Sequence, residues 1–277
     1  EHLMIGPILH DEPILANNEV LFYGQAIAAV LAETHDQAKK AALLVQAKIE
    51  ELEAVVTVEQ ALEKKSFLDE PIVVSTGDSQ TDIKKAKNTL NGSLSIGGQE
   101  HYYLEGQVAI SIPTENNEMV VHSSTQNPTE VQHLVAHVLD VPQNAIEVVT
   151  RRMGGGFGGK ETDSSQLACI CAIFSKRTLR PVKARLSRKD DILLTGKRHD
   201  FVAKYEVGYN DEGIIQGIEI DLAARCGYSL DLSKAIVSRA LFHADNTYFI
   251  PNATFKGFLC KTNTASNTAF RGFGGPQ

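Results

Sequence analysis

Ala145-Ile146-Glu147-Val148-Val149-Thr150-Arg151-Arg152-Met153-Gly154-Gly155-Gly156-Phe157-Gly158-Gly159-Lys160-Glu161 joins two patterns in one stretch. Residues 145–150 are rich in β-branched side chains and read as a strand. Glycines then surround one phenylalanine, and the run closes on a charged pair. Beyond Glu161, the apolar positions Leu167, Ile170, Cys171 and Phe174 recur at helical spacing, so a helix follows. Strand, glycine loop and helix form one β–loop–α piece. No regular β–α–β series surrounds it and no internal repeat is found, so the stretch predicts an α+β fold with mixed strands.

The flanks extend this picture. Residues 181–186 form the next strand. Val202, Tyr205 and Val207 lead into Asn210-Asp211-Glu212-Gly213, a hairpin signal whose partner strand is residues 214–222. Upstream, Val120 and Val121 lead a strand into Ser123-Ser124-Thr125-Gln126-Asn127. Pro128 suits the first position of a helix running to Leu139, with Val131, Leu134, Val135 and Val138 inward. Residues 92–96 and 107–112 read as strands, and residues 82–89 as a charged helix. Residues 66–80, with Pro71, Gly77 and Asp78, have linker composition. Before them, residues 20–32 read as one or two buried strand pieces interrupted at Gly24. Thr34-His35-Asp36-Gln37 reads as a capping box. It opens a helix through about residue 51, and residues 55–58 then read as a short strand. The expected organisation is a small α/β unit over residues 1–65, a linker over 66–80 and a larger α+β region over 81–277.

A chain of 277 residues makes one large domain or two ordinary ones, and 43% hydrophobic residues suffice for a real core. A net charge of −7 argues against general affinity for nucleic acid or anionic membranes. No apolar run reaches the roughly 18 residues of a membrane span. The first residues lack the basic and apolar regions of a signal peptide. Cys169, Cys171, Cys226 and Cys260 form no CxxC pair and read as reduced thiols rather than metal ligands. A cytoplasmic protein is expected. The chain starts without methionine and stops at Pro276-Gln277, directly after a glycine cluster, so it reads as a fragment of a longer polypeptide.

Two further glycine clusters, Gly97-Gly98-Gln99-Glu100 and Arg271-Gly272-Phe273-Gly274-Gly275, carry polar or aromatic residues of their own. Three clusters far apart in sequence suggest loops around one bulky, polar ligand. The central cluster admits several readings. Gly154-x-Gly156-x-x-Gly159 matches the dinucleotide fingerprint, and Gly154-x4-Gly159-Lys160 approaches a P-loop. However, Glu161 stands where a P-loop needs Ser or Thr. Residues 175–178 offer only basic and hydroxyl groups where an acidic ribose ligand is wanted. A structural glycine turn is the plain reading. A loop presenting backbone N–H groups to an oxyanion or metal-oxo group is another, with the Phe157 N–H exposed and Glu161 at the helix start. Likewise Gln99 reads as a strand-end amide or a ligand. Arg239 reads as a surface or a binding cation, and Arg271 and Phe273 as turn and core or as site.

Gly97-Gly98-Gln99-Glu100-His101-Tyr102-Tyr103-Leu104-Glu105, Ser124-Thr125-Gln126-Asn127-Pro128, residues 152–161, Arg239-Ala240-Leu241-Phe242-His243 and residues 266–277 together, and in this order, resemble the xanthine dehydrogenase and aldehyde oxidase family of molybdenum hydroxylases. The resemblance covers essentially the whole chain. Residues 1–65 are similar to the later part of the family's α/β hammerhead domain, and residues 81–277 to the first half of its molybdopterin-binding domain. It implies molybdenum held by a pterin dithiolene with oxo, sulfido and hydroxide ligands. A glutamate base deprotonates the hydroxide, which attacks an electron-poor carbon while hydride passes to the sulfido group. Electrons leave through two [2Fe–2S] clusters to FAD, and in dehydrogenases to NAD.

By residue matching, the resemblance implies that Gln99 bonds an oxygen ligand of molybdenum. Phe157, through its N–H, and Arg271 make further contacts around the metal, and Gly156, Gly158 and Gly272 belong to the cofactor loops. Glu161 and Arg239 orient a purine, and Phe273 flanks the substrate ring. Aldehyde oxidases typically carry apolar residues at the Glu161 and Arg239 positions, so hypoxanthine or xanthine is the implied substrate. An aldehyde- or nicotinate-type hydroxylase and a P-loop-like nucleotide module remain the alternatives. The catalytic glutamate and a second ring-flanking phenylalanine are expected beyond Gln277, so no residue here is assigned as the base. The chain alone is expected neither to retain the cofactor nor to turn over. Expected partners are the rest of the molybdenum subunit and iron–sulfur and FAD domains or subunits in a hetero-oligomer, with no nucleic acid and no membrane.

Overall fold

The structure, a computed structural model, describes residues 3–277. The first half contains β1 (Met4–Ile5), β2 (Glu12–Pro13), α1 (His35–Ala42), α2 (Val58–Lys64), β3 (Ile72–Thr76), α3 (Ser79–Lys85), β4 (Asn88–Ile96), β5 (Val108–Pro113), β6 (Met119–Ser123) and α4 (Pro128–Leu139). The second contains β7 (Ile146–Val149), α5 (Ser164–Thr178), β8 (Val182–Arg185), α6 (Arg188–Leu194), β9 (Phe201–Tyr209), β10 (Ile215–Gly227), α7 (Ser233–Phe242) and β11 (Ala253–Lys261). Two compact units result. One gathers the residues up to Ala54, His101–Gly196 and Asn263–Ser266; the other gathers Val55–Glu100, Lys197–Thr262 and Asn267–Gln277.

In the first unit, the sheet runs β7-β6-β5-β8, parallel between β6 and β7 and antiparallel elsewhere. Helices α4 and α5 cover it, burying Val121, Val131, Val135, Ile146 and Cys169 in one core. The α4 start matches its local chemistry, since the Asn127 side chain accepts from Glu130 N and Pro128 occupies the first turn. In the second unit, the sheet runs β3-β11-β10-β9-β4, parallel only between β10 and β11. The β9–β10 hairpin turns where expected. Asn210 Oδ1 accepts from Glu212 N and Ile214 N, and Gly213 takes a positive φ of +80°. The mixed α+β class is therefore observed.

Several local expectations change. Residues 20–32 form no strand: Gly24 adopts φ +105°, which breaks the pleat, and the segment finds no ladder. The Thr34–Gln37 capping box forms, but α1 ends at Ala42, buries none of its residues, and leaves Leu43 and Leu44 exposed. An eight-residue helix has little intrinsic stability, and its apolar stripe meets no core that would extend it. Residues 55–58 are not a strand. Thr57 and Gln60 build a second capping box, and α2 starts at Val58 with Val58 and Ala61 buried. Residues 66–80, expected as a linker, hold β3, an edge strand whose partner β11 lies far along the chain, and the start of α3. The charged helix stops at Lys85, and β4 begins at Asn88. The four cysteines are all buried thiols, and burial pushes Cys171 and Cys260 up to about 12. Among the described residues no helix is long and apolar enough to cross a membrane.

One buried group makes the fold acid-sensitive. His199 is 1% exposed, and its Nε2 lies 2.7 Å from Ser233 Oγ. Burial, then the Arg225 charge, pushes its pKa from 6.5 down to about 3. Between those values the unfolded chain binds a proton that the folded chain refuses, so folding is favoured as pH rises. The His199 contribution is thus complete above pH 6.5 and is lost as pH falls toward 3. His199→Gln should flatten the acid limb of the melting temperature plotted against pH. An acid limb as steep as in the wild type would exclude His199 as its source.

Candidate functional site

The glycine loop of the first unit is held from behind by a buried polar frame. Phe157 adopts φ +55° between Gly155 at +97° and Gly158 at +101°. Its ring is 43% exposed. A Cβ on Gly156 would lie 2.4 Å from Gln126 Oε1, so a side chain here would have to displace the Gln126 amide from the loop. Gln126 Oε1 accepts from Gly158 N at 2.9 Å and Lys160 N at 3.3 Å, and Gln126 N donates to Lys160 O at 2.7 Å. Gln126 therefore sets the path of the loop that presents Phe157.

Lys160 closes the frame from inside. Its side chain is fully buried, and Nζ donates to Ser124 Oγ (2.7 Å), Gly106 O (3.3 Å) and Glu105 Oε2 (3.4 Å) above the Tyr103 ring. Glu105 Oε2 also accepts from Gly154 N at 2.8 Å and Ser124 Oγ at 2.9 Å, so one carboxylate oxygen ties the first glycine to the last cation of the loop. Burial works to raise the Glu105 pKa, yet the Gly154 N–H, the Ser124 hydroxyl and the Lys160 ammonium together hold it below the usual carboxylate value. Burial lowers the Lys160 pKa, and the Glu105 charge opposes this. The inward course of Lys160 overturns the P-loop reading, because a phosphate-binding lysine must present its ammonium to the ligand. Glu161 is half-buried and lies in the turn ahead of α5, which starts at Ser164. It lies two residues ahead of the Asp163 N-cap, just before the helix start where the sequence placed it.

The other candidates belong to the second unit. Gln99 follows β4 and is exposed; its backbone O accepts from Arg198 N at 2.9 Å and its Oε1 from Arg198 Nε at 3.2 Å. The same guanidinium donates through Nη2 to Arg271 O at 3.3 Å and stacks 4.1 Å from the Phe270 ring centroid. Arg239 is exposed in the last turn of α7, with its guanidinium 5.2 Å from the Phe273 ring centroid and its Nε 3.5 Å from His243 Nε2. Gly272 and Gly274 take φ of +83° and +77°, and a Cβ on Gly274 would lie 2.5 Å from Ile236 O. The 271–274 turn therefore rests directly on the α7 backbone.

The structure thus joins Gln99 to Arg271 through Arg198 and sets Arg239 against Phe273, all within the second unit. Gly156, Phe157, Gly158 and Glu161 share one loop in the first. Two residues escaped the sequence reading. Gln126 lay in a polar run between strand and helix and carried a weak signal; Arg198 carried none. The first unit offers the glycine loop and Gln126, and the second offers Gln99 and the guanidinium groups of Arg198, Arg239 and Arg271. Such groups suit an anionic, oxygen-rich organic ligand better than a bare cation. No group of three or more His, Cys, Asp or Glu able to hold a metal ion occurs among the described residues.

Residues 63–277 match the molybdopterin cofactor-binding domain, and residues 1–53 match the a/b hammerhead domain of aldehyde oxidase and xanthine dehydrogenase. The chain is 44% identical to a xanthine dehydrogenase of Dictyostelium discoideum over 272 residues, which is 98% of this chain and 20% of that protein. It is also 44% identical over 277 residues to a nicotinate hydroxylase of Emericella nidulans, again covering 98% of this chain and 20% of that protein. Among solved structures, the aldehyde oxidoreductase from Desulfovibrio gigas superposes with a TM-score of 0.87 at 25% identity, covering 99% of this chain and 31% of that one. The chain spans about a fifth of the length of the curated relatives it matches.

Proposed function

The chain belongs to the molybdopterin-binding aldehyde oxidase and xanthine dehydrogenase family, and from this we propose that it forms part of a molybdenum hydroxylase that oxidises hypoxanthine and xanthine toward urate. The observation that carries the purine reading is the pairing of the Arg239 guanidinium with the Phe273 ring at 5.2 Å. A flat aromatic face beside a cation complements a flat heterocycle bearing carbonyl oxygens. Glu161 supplies a carboxylate able to accept from purine N–H groups. The molybdenum–molybdopterin group, when bound, supplies the oxygen-transfer and two-electron chemistry.

The residues present fit that group. Gln126 packs against Gly156 and fixes the course of the Gly154–Gly159 backbone, and the Arg271 turn is pinned by Arg198. We assign metal-side glutamine contacts to Gln99, as the resemblance implies, and to Gln126, which is bonded into the loop that carries Phe157. Phe157 and Arg271 serve the cofactor from their loops, with Gly156, Gly158 and Gly272 giving the close approach. The catalytic base, the [2Fe–2S] clusters and FAD are assigned to parts of the enzyme outside this chain, in a cytoplasmic hetero-oligomer. This piece alone is accordingly inactive.

The test is the complete enzyme. Metal analysis should find molybdenum, and steady-state rates should favour hypoxanthine and xanthine over nicotinate and aldehydes. Absence of molybdenum would remove the hydroxylase reading. A preference for nicotinate would remove the purine reading alone, because a guanidinium also fits a carboxylate.

A further inference from the structure

Phe157 and Gly158 fill the middle of a turn that Gly159 N closes on Gly156 O at 2.8 Å. Both central residues take positive φ, +55° and +101°. A bulky residue rarely adopts such a φ, and it persists only where its surroundings fix it. The peptide that follows the turn is clamped on both sides. Its N–H, on Lys160, goes to Gln126 Oε1 at 3.3 Å, and its carbonyl, on Gly159, accepts from Gln107 Nε2 at 3.1 Å. Gln107 is 1% exposed, and Asp191, equally buried, holds it twice. Asp191 Oδ2 accepts from Gln107 N at 2.7 Å. Its Oδ1 accepts at 2.6 Å from the Tyr103 hydroxyl, whose oxygen in turn accepts from Gln107 Nε2 at 3.1 Å. Both N–H bonds of the Gln107 amide are therefore committed, and turning the amide over would set its oxygen against the Gly159 carbonyl.

Resting on the reading above, we infer that Gln107 is a positioning residue: it locks the Gly159–Lys160 peptide and so fixes the direction in which the strained turn presents the Phe157 N–H to the bound molybdopterin group. Gln107 stays inside the protein and acts only through the loop. Gln126 alone holds the N–H side of that peptide and leaves its plane free to rock. A second strut on the carbonyl side removes that freedom, and Asp191 and Tyr103 keep the strut itself in place.

The experiment compares the complete enzyme as wild type, Gln107→Met and Val135→Ala, the last a truncation in the α4 core that controls for stability alone. Molybdenum and pterin content, kcat and KM for the best substrate, and the molybdenum electron paramagnetic resonance spectrum of the partly reduced enzyme are measured. A misplacement of about 1 Å can cost on the order of 100-fold in rate. Gln107→Met loosens the turn without removing it, so kcat should fall about tenfold with KM and molybdenum content near wild type, and the spectrum should shift. Val135→Ala should melt lower and keep the wild-type spectrum and kcat. A wild-type spectrum and kcat in Gln107→Met would overturn the assignment, as would the same spectral change in Val135→Ala. A rate loss matched by molybdenum loss would overturn it too, because the residue would then serve only to retain the cofactor. If Gln107→Met does not accumulate as folded enzyme, Tyr103→Phe decides, since it removes the hydroxyl that orients the amide; a wild-type spectrum and kcat there overturn the proposal. A wild-type enzyme without molybdenum would instead defeat the functional reading itself.

Discussion

Exchange of Arg239 for methionine in the complete enzyme will slow xanthine turnover by about 100-fold or more and leave aldehyde turnover nearly unchanged. On the purine reading proposed above, charge would accumulate on the carbonyl side of the ring as the neighbouring carbon is attacked, and the Arg239 guanidinium would strengthen its hydrogen bond there in the transition state. Such an interaction is worth about 3 kcal/mol, which is about 100-fold in rate. The structural cost of the exchange is far smaller. Arg239 is exposed, and a cation–π contact of this kind contributes about 0.5–1 kcal/mol at an exposed site. Methionine also keeps the helical preference of α7. An aldehyde has no purine carbonyl for the guanidinium to serve, so its rate reports intact folding and cofactor content. Equal losses on both substrate classes would defeat the specificity argument. Glu161→Ala should in turn raise the KM for xanthine, and unchanged kinetics would remove Glu161 from the site.

Replacement of Lys160 by methionine will cost about 3 kcal/mol of stability, equivalent to a fall of roughly 6–12 °C in melting temperature for a domain of this size. The ammonium is fully buried and serves Ser124, Gly106 and Glu105 together. Methionine fills the same space and leaves those acceptors without their donor. The lower end of the buried-pair range applies because the Glu105 side chain is 36% exposed and water can reach it. The double variant Lys160→Met with Glu105→Gln should recover part of the loss, since the remaining group is then neutral. Calorimetry of the single and double variants measures the coupling. A single-variant loss below about 1 kcal/mol would show that the ammonium holds the loop no better than a surface ion pair.

Two elements encoded by neighbouring residues were legible in the sequence. The Asn127-Pro128 start of α4 and the Asn210–Gly213 turn each depend on side chains within a few positions of the backbone they satisfy. Elements that depend on a distant partner were not. Strand β3 carries a local signal, since four of the five residues Ile72-Val73-Val74-Ser75-Thr76 are β-branched, but its pairing of Val74 with Phe255 of β11 is encoded nowhere near it. The apolar run at residues 55–58 fits either a strand or a helix start, and the Thr57–Gln60 capping box decides for the helix. The site divides in the same way. Glycine clusters are visible as clusters. Gln126 reaches the loop across 34 positions, and Arg198 reaches Gln99 across 99 and Arg271 across 73. No local pattern encodes contacts of that span.

The close seat of Gly274 on the α7 backbone has an evolutionary corollary. Because that glycine admits no Cβ against Ile236 and Ala240, the distance from Phe273 to the helix is set by main chain alone. The chemical character of position 239 is then free to vary at the tip of its side chain without shifting the aromatic wall. On the substrate role proposed for Arg239, single exchanges there would change preference on an unchanged scaffold.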